Sequence, residues 1–239
     1  MEPRLLALWS APRCRSTAFQ RMMEERGDLT VLHEPFSHVT DFGVTEVGSR
    51  EVGSERELLA ALRELAAKEP VFFKDTTDFH YPELLRDEEF LRTATHAFMI
   101  RDPKAAIASH YRLNPELGRD EIGFAWLDEI YEAVVAATGE EPMVIDGDDL
   151  VSTPEPIVQA YCARVGIPYV ASALEWNPKL RPDQERTARW HESVGASSGF
   201  DASMGRSSDV DVEAHPTLGA FLRYHRPFYE KLYERRVRI

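Results

Sequence analysis

A short segment near the start of the chain carries arginines and hydroxyl groups between a predicted strand and a predicted helix. Residues 5–9 form a continuous apolar run, which is typical of a strand buried on both faces of a parallel sheet. Residues 10–16 follow it, and Thr17 with Gln20 matches a capping box that would start the helix. Backbone N–H groups at a helix N-terminus attract anions, and arginine adds positive charge. The segment therefore predicts a loop that binds phosphate or sulfate.

Two well-known catalytic loops do not fit this segment. The loop of nucleotide triphosphatases needs G-x-x-x-x-G-K-[ST], and the absence of its glycines and lysine disfavours a kinase that uses Mg-ATP. A cysteine phosphatase would need Cys-x5-Arg, but that position after Cys14 holds Gln20, and Arg21 comes one residue too late. The anion is therefore expected to be bound by Arg13 and Arg15 without thiol chemistry.

A second arginine-bearing turn, at Arg101, follows another predicted strand at 97–100. Asp102 and Pro103 then predict an N-cap and a first helical residue, and Ser109 lies on that helix, eight positions after Arg101. A guanidinium binds two phosphate oxygens at once, and a hydroxyl group on the helix adds a donor beside it. This turn predicts a second phosphate contact.

Polar side chains also follow the predicted strands at 30–32 and 71–73. Ligands of an open α/β sheet bind outside the carboxyl ends of its strands, so these side chains are placed to take a proton from a bound acceptor. A glutamate in this role would need burial to raise its pKa above the ordinary value of about 4.3. The candidate bases are Glu34, His33, Asp75 and His80.

The histidines around Glu34 do not have the spacing of a zinc-protease helix. Residues 33–38 read H-E-P-F-S-H, in which the second histidine comes one residue too late for H-E-x-x-H. No metal site is expected from the sequence.

Strands alternate with helices along most of the chain, with a fifth strand predicted at 143–145. This alternation predicts an α/β fold, in which a central, mostly parallel five-stranded sheet lies between helices in three αβα layers. The predicted longer helices are 55–68, 103–113, 122–137 and 155–165.

Two stretches lack this periodicity. Residues 37–54 are predicted to form a long loop, and residues 193–216, rich in Ser, Gly and Asp, either a lid or a surface segment. Pro227 is expected to kink the last helix or to start a second one. Because these loops would line the acceptor pocket, the sequence does not identify the acceptor, and it does not indicate an oligomeric state.

Charge and composition limit the class of partner. The 239 residues include 28 basic and 41 acidic ones, a net charge of -13, so binding to nucleic acid or an anionic membrane is not expected. Two cysteines cannot build a disulfide framework, and neither a secretory signal nor a membrane-length apolar stretch is found. We expect a cytoplasmic protein with one domain over 1–239, comprising a core at 4–170 and a C-terminal lid or helical segment at 178–239.

The first loop, P-R-C-R-S-T-A-F, resembles the 5′-phosphosulfate loop of sulfotransferases that use 3′-phosphoadenosine 5′-phosphosulfate (PAPS), often written P-[KR]-[ST]-G-[ST]-T. Arg13 matches the basic position, and Ser16 and Thr17 match the hydroxyl pair. Cys14 and Arg15 replace the usual hydroxyl residue and glycine. Because a non-glycine residue has poor access to positive φ, Arg15 leaves the geometry of the loop open.

The likeness extends over roughly 4–170 and implies a P-loop nucleotide-kinase-like fold. In this family the 3′-phosphate of PAPS is bound by an arginine and a serine spaced as Arg101 and Ser109 are. Residues 148–168 are similar to an E-D-L…P…G-[LI]-P run that we interpret as structural. The segment around Trp190 resembles the one that covers the nucleotide.

The resemblance also ranks the candidate bases. H-E-P-F resembles the glycan N- and O-sulfotransferases, which place a catalytic glutamate after the second strand, and this favours Glu34. The K-D pair at 74–75 is similar to a strand end of other members, whose base is a histidine a little further on, and this favours His80. His33 and Asp75 stay open.

Together these features imply an in-line, metal-free transfer of a sulfuryl group from PAPS to a hydroxyl or amine of a small molecule, with Arg13 stabilising the leaving oxygen. The alternatives are a small-metabolite or nucleotide kinase on the same fold and a non-catalytic nucleotide-binding protein. The residues expected to bind the donor are Arg13, Cys14, Arg15, Ser16, Thr17, Arg101, Ser109, Trp190 and Arg206.

Overall fold

The apolar runs of the sequence form the strands of a central five-stranded sheet, and two further short strands form a separate hairpin. The computed structural model describes residues 4–178, 197–200 and 210–239. In chain order, the strands are β1 (Arg4–Ser10), β2 (Thr30–His33), β3 (Thr45–Val47), β4 (Arg50–Val52), β5 (Pro70–Thr76), β6 (Thr95–Ile100) and β7 (Met143–Asp146).

Helices connect these strands. In chain order, the α-helices of the described residues are α1 (Ser16–Glu25), α2 (Pro35–Phe42), α3 (Glu55–Ala66), α4 (Pro82–Arg86), α5 (Glu88–Thr93), α6 (Pro103–Leu113), α7 (Phe124–Thr138), α8 (Gly147–Ser152), α9 (Pro154–Val165) and α10 (Pro216–Glu234). None of the helices described combines the length and apolarity that a bilayer crossing requires.

The main sheet has the order β2-β5-β1-β6-β7, and every neighbouring pair is parallel. From the central strand β1 the chain crosses to the edge strand β2, whereas from β6 it crosses in the opposite direction to β7. The carboxyl ends of β1 and β6 therefore form a switch point, which is where open α/β sheets bind ligands. This confirms the predicted α/β fold with a five-stranded parallel sheet.

Both faces of the sheet are covered by helices, which gives the three expected layers. Phe72 and Phe73 are neighbours on β5, so their side chains point to opposite faces. The ring of Phe72 packs 6.3 Å from that of Phe19 on α1, and the ring of Phe73 packs 6.4 Å from that of Phe90 on α5. The sheet is thus buried on both sides, which explains the continuous apolar runs.

The prediction of a long loop over 37–54 is wrong. This stretch contains most of α2 and the antiparallel hairpin of β3 and β4. Its helix begins at Pro35 and is capped from a distant strand, because Asp75 accepts hydrogen bonds from the Phe36 and Ser37 backbone N–H groups. Strands of three residues are too short to show a period in the sequence.

Two predicted helix boundaries are also wrong. The N-cap of α1 is Arg15, without a side-chain cap, so Thr17 and Gln20 do not form a capping box. The last helix continues through Pro227, so the alternative that a second helix starts there is wrong, and Leu222 and Leu232 on either side of the proline are buried against the core. Most of the 193–216 loop, at 193–196 and 201–209, lies outside the described residues.

Candidate active site

The backbone of the loop between β1 and α1 is strained at two arginines, one of which occupies the position where glycine is usual. Arg13 and Arg15 both have left-handed conformations, with φ of 66° and 71°. For a residue with a Cβ this costs about 1–2 kcal/mol each. Such strain persists where the surrounding structure enforces it, and it gathers at ligand sites. The non-glycine residue at position 15 therefore does not prevent the left-handed turn.

The two arginine-bearing turns predicted from the sequence meet at the switch point. The Arg13 side chain donates from Nε to Ser109 Oγ on α6 at 3.2 Å, and Arg101 Nη1 donates to the Arg13 carbonyl at 3.4 Å. Burial, with the nearby charges of Arg112 and Arg101, lowers the pKa of Arg13 to about 10. Arg13 stays charged at neutral pH, and an anion beside it would relieve this repulsion.

Asp148 is a site residue that the sequence reasoning treated as structural. Its Oδ1 atom lies 2.9 Å from Arg15 Nη2 and 3.2 Å from Arg101 Nε, so one carboxylate bridges both arginines. It is carried by α8, where Asp146 caps the backbone N–H of Asp148 at 2.8 Å. The available signal was its position after the predicted fifth strand, because β7 ends at the same edge of the sheet as β6.

Two glycines allow neighbouring elements to approach the loop closely. A Cβ on Gly147 would collide with the Cys14 carbonyl oxygen, so only glycine lets α8 pack against this turn. A Cβ on Gly123, whose φ is +83°, would lie 2.6 Å from Pro12 Cδ. The loop is therefore held from outside by backbone contact.

The Cys14 thiol faces the interior. The residue is fully buried, and burial raises the pKa of its thiol, which stays protonated. Any contribution of Cys14 to ligand binding therefore comes from its backbone. Ser16 and Thr17 are the first two residues of α1, where helical N–H groups are not used within the helix.

Glu34 lies at the tip of β2 and is paired inside the protein. It has a left-handed conformation with φ of 46°, because Pro35 disfavours the right-handed helical region for the residue before it. Lys74, which is buried near the end of β5, donates from Nζ to Glu34 Oε1, and its carbonyl accepts from the Glu34 backbone N–H at 2.8 Å. The Glu34 charge is near enough to Arg13 to raise its pKa. The predicted base therefore lies beside the loop.

Asp75 is fully buried, and its oxygens are occupied by donors. They accept from the Phe36 N–H at 2.6 Å, from the Ser37 N–H at 3.2 Å and from Ser37 Oγ at 2.6 Å. Burial raises the pKa of Asp75 to about 7, although the Ser37 hydrogen bond opposes this. The geometry gives Asp75 the part of a cap that holds α2, and through it Glu34, in place.

The two candidate histidines differ in position. His33 is buried next to Glu34, with its Nε2 atom 3.6 Å from Glu34 Oε2. His80 instead lies against α7, where it pairs with Glu129 at 3.0 Å and its ring lies 4.4 Å from that of Trp126. The ion pair and the ring contact of His80 are thus both with α7. Trp190 and Arg206 lie outside the described residues.

Three side chains of the 33–38 segment lie close enough together to bind one metal ion, although their spacing in the sequence predicts no metal site. His33, Glu34 and His38 each present a ligand atom within 4.8 Å of the others. The H-E-x-x-H spacing applies to ligands on one continuous helix. Here His33 ends a strand and His38 lies one turn into α2.

Comparison with known proteins agrees with this geometry. The sequence model of the family described as "Sulfotransferase domain" matches residues 4–236. The chain belongs to this family. The match covers both arginine turns and Glu34.

Two curated plant proteins resemble this sulfotransferase domain. They are "Branched-chain-amino-acid aminotransferase-like protein 1" and "protein 2" of Arabidopsis thaliana. The first is 28% identical over 209 residues, which are 83% of this chain and 37% of the relative. The second is 27% identical over 202 residues, 80% of this chain and 35% of the relative. The chain thus spans about a third of the length of these relatives.

Solved structures share the fold of this sulfotransferase domain. The "Sulfotransferase Domain from the Curacin Biosynthetic Pathway" has a TM-score of 0.54 at 13% identity, covering 93% of this chain and 97% of that one. The "Sulfotransferase Domain from the Synechococcus PCC 7002 Olefin Synthase" has a TM-score of 0.51 at 15% identity, covering 94% and 95%. At these identities the likeness shows the fold alone, and it agrees with the predicted P-loop-like architecture.

Proposed function

We propose that this sulfotransferase domain moves a sulfuryl group from PAPS to a hydroxyl or amine group of a small molecule. The observation that carries the proposal is the convergence of Arg13, Arg15 and Arg101 at the switch point, with Ser109 beside them. A chain with a net charge of -13 gathers these cations at one edge of its sheet. This arrangement suits a small ligand that carries negative charge at two places.

The two arginine turns would divide the donor between them. Arg101 and Ser109 would bind the 3′-phosphate, as the resemblance implies. Arg13 and the backbone N–H groups at the start of α1, at Ser16 and Thr17, would bind the 5′-phosphosulfate. Arg15 is paired with Asp148 and would strengthen the binding of whichever phosphate group displaces that carboxylate.

Two further donor contacts are proposed from the resemblance alone. Trp190 would cover the adenine, and Arg206 would add charge at the 3′-phosphate. A small acceptor is favoured over a highly sulfated polyanion, because the acidic chain would repel the latter.

The chemistry needs a proton acceptor and stabilisation of the leaving group. Glu34 would take the proton from the acceptor as its oxygen or nitrogen attacks sulfur, while the bond from sulfur to the 5′-phosphate oxygen breaks. The products are the sulfated acceptor and adenosine 3′,5′-bisphosphate, and Arg13 would stabilise the charge that develops on the departing phosphate. Lys74 holds the Glu34 carboxylate in place for this step.

Calorimetric titration tests the nucleotide assignment. Adenosine 3′,5′-bisphosphate should bind in the presence of a chelator, whereas ATP should bind weakly with or without Mg²⁺. Tight binding of Mg-ATP in place of the bisphosphate would overturn the proposal in favour of a kinase.

An acceptor screen with labelled PAPS tests the transfer itself. The expected result is one acceptor class that gains the mass of a single sulfuryl group. Bisphosphate binding without transfer to any hydroxyl or amine in a broad library would favour the non-catalytic alternative.

A further inference from the structure

The ligand atoms of His33, Glu34 and His38 lie within 4.8 Å of one another, and His33 Nε2 is 3.6 Å from Glu34 Oε2, whereas Lys74 is bonded to Oε1. We propose that these three side chains form a regulatory Zn²⁺ site and that Zn²⁺ bound there inhibits sulfuryl transfer. The inhibition rests on the proposed role of Glu34 as the base, whereas the binding does not.

A local change of backbone direction creates this group. His33 is the last residue of β2, and the left-handed conformation of Glu34 turns the chain directly into α2. His38, one turn into the helix, then returns to the same side, and its ring lies 5.5 Å from that of His33 at an interplanar angle of 77°. Two nitrogens and one carboxylate oxygen thus meet from a strand end and a helix.

A chain of hydrogen bonds sets the tautomer of His33. Gln20 Nε2 donates to Glu24 Oε1 at 2.9 Å, so the Gln20 amide oxygen faces His33. That oxygen only accepts, so His33 Nδ1 must carry a proton and donate it over 2.8 Å. The lone pair is therefore on Nε2, which lies 3.6 Å from Glu34 Oε2. Metal-binding histidines commonly have such an outer partner, which orients the ring and fixes its tautomer.

The local charges accommodate a cation despite the neighbouring Lys74. Glu34 Oε1 accepts from the Lys74 ammonium, and the other carboxylate oxygen, Oε2, lies 3.6 Å from His33 Nε2. Asp75 and Asp78 are also close, because the Glu34 charge adds to the larger effect of burial in raising their pKa values to about 7 and about 6. The Lys74 ammonium and the Arg13 guanidinium thus only partly neutralise these three carboxyl groups. A divalent ion would relieve the repulsion among them.

The donor set selects the metal. Two imidazole nitrogens and one carboxylate suit Zn²⁺, which keeps an open position when three protein ligands bind it. Mg²⁺ and Ca²⁺ prefer oxygen ligands and are disfavoured. Coordination would withdraw the Glu34 lone pair that the acceptor proton needs. Transfer should therefore slow as the site fills.

Calorimetric titration of the chelator-treated protein with Zn²⁺ alone tests the site. One ion per chain should bind to the unaltered protein, and His38→Ala should weaken this binding by at least about 100-fold, since it removes one of three ligands. The matched control is Asp41→Ala, an exposed acid on the same helix, which should bind as the unaltered protein does. Equal Zn²⁺ affinity of His38→Ala and the unaltered protein would overturn the site.

A turnover assay separates the site from the proposed function. Without metal, His38→Ala should turn over as the unaltered protein does, and Zn²⁺ should inhibit the unaltered protein but not the variant. Stoichiometric Zn²⁺ binding without inhibition would overturn the regulatory role. If neither protein transfers sulfuryl groups at all, the proposed function fails while the titration still decides the metal site. Thermal unfolding checks that His38→Ala is folded, and His38→Gln replaces it if it is not.

Discussion

The two ends of the carboxyl edge of the sheet handle charge in opposite ways. On the arginine side, after β1 and β6, Arg13 and Arg101 lie close enough to repel each other, and the carboxylate that bridges Arg15 to Arg101 is the half-exposed Asp148. On the acid side, after β2 and β5, Glu34 is neutralised by the buried Lys74. The arginine side is arranged to receive negative charge from a ligand, whereas on the acid side the Glu34 carboxylate is already paired with Lys74 inside the protein.

This difference indicates how the site divides its work. Clustered cations in a partly buried crevice repel one another until an anion binds, so the arginine side favours an anionic ligand, which under the proposed function is the donor. The proposed base, Glu34, must instead be in position before the reaction begins, and its pairing with Lys74 holds it there. Substitutions on the arginine side should therefore weaken nucleotide binding. Substitutions on the acid side should instead change turnover or the dependence of stability on pH.

The largest expected effect is on the acid side. Glu34→Gln should lower kcat by roughly 100- to 10,000-fold, because the amide cannot accept the acceptor proton. The affinity for adenosine 3′,5′-bisphosphate should change little. Steady-state kinetics and calorimetry on the same preparation measure both, with Glu46→Gln on the exposed face of β3 as the matched control. Normal turnover would remove Glu34 as the base and promote His33.

Asp75 should give the acid side a stability that depends on pH between about 4 and 7. Its pKa is raised to about 7 in the folded protein, so between about pH 4 and 7 the native state keeps a proton that the unfolded chain releases. Stability should therefore fall as pH rises through this window, by up to about 4 kcal/mol. Asp75→Asn keeps an acceptor for the Phe36 N–H group and should abolish this contribution.

Chemical denaturation from pH 4 to 8 measures this dependence as the difference between the two proteins, which cancels the titration of other groups. Parallel curves for Asp75→Asn and the unaltered protein would show that Asp75 is already ionised at low pH. Both proteins contain Glu34 and Asp78, so the titration of these two groups cancels when the two curves are subtracted.

On the arginine side the effect should appear in binding. Arg101→Ala should weaken adenosine 3′,5′-bisphosphate by about 10- to 100-fold, which corresponds to loss of a charged hydrogen bond of about 1.5–3 kcal/mol. Adenosine 5′-monophosphate, which lacks the 3′-phosphate, should bind equally to both proteins. Arg56→Ala, an exposed arginine paired with Glu83, is the control. Equal losses for both nucleotides would place Arg101 at the 5′ end instead.

The smallest effect should come from the backbone contact behind the arginine loop. Gly147→Ala should destabilise the fold by about 1–3 kcal/mol, because its Cβ would press on the Cys14 carbonyl. Bisphosphate binding should weaken with it, while the hydrogen bonds of Asp75 on the acid side persist. Gly53→Ala meets only ordinary contacts and is the control. Denaturation midpoints measure the stability, and calorimetry measures the affinity for the bisphosphate. Unchanged affinity would show that the anion loop keeps its binding conformation without the close contact to α8.

Sequence reasoning succeeded where the signal was local. The strand at 5–9 could be read from a continuous apolar run, and Asp102 with Pro103 predicted the start of α6 correctly. It failed at 37–54 because the cap of α2 is Asp75, which lies 39 positions beyond Phe36 in the chain. No pattern within the segment records that contact.

The candidate site divides in the same manner. Residues on the two arginine turns were found because each turn follows its own strand. Asp148 also follows a predicted strand, but only the order of the sheet, in which β7 lies beside β6, brings it to Arg101. The grouping of His33 with His38 was missed because it depends on the left-handed turn at Glu34, which allows a strand end and a helix to share three ligand atoms.

The amino-acid sequence by itself determined the αβα layering, the position of the anion loop and the types of side chain at the strand ends, because each follows from hydrophobic period and from neighbours a few residues away. Only the tertiary structure decided which of those side chains meet. Sheet order is set by long-range packing, and it brings Asp148 to two arginines and Lys74 to Glu34. Burial then decides which of these ion pairs are shielded from water, as Lys74 with Glu34 is, and which are partly exposed, as Asp148 with its two arginines is.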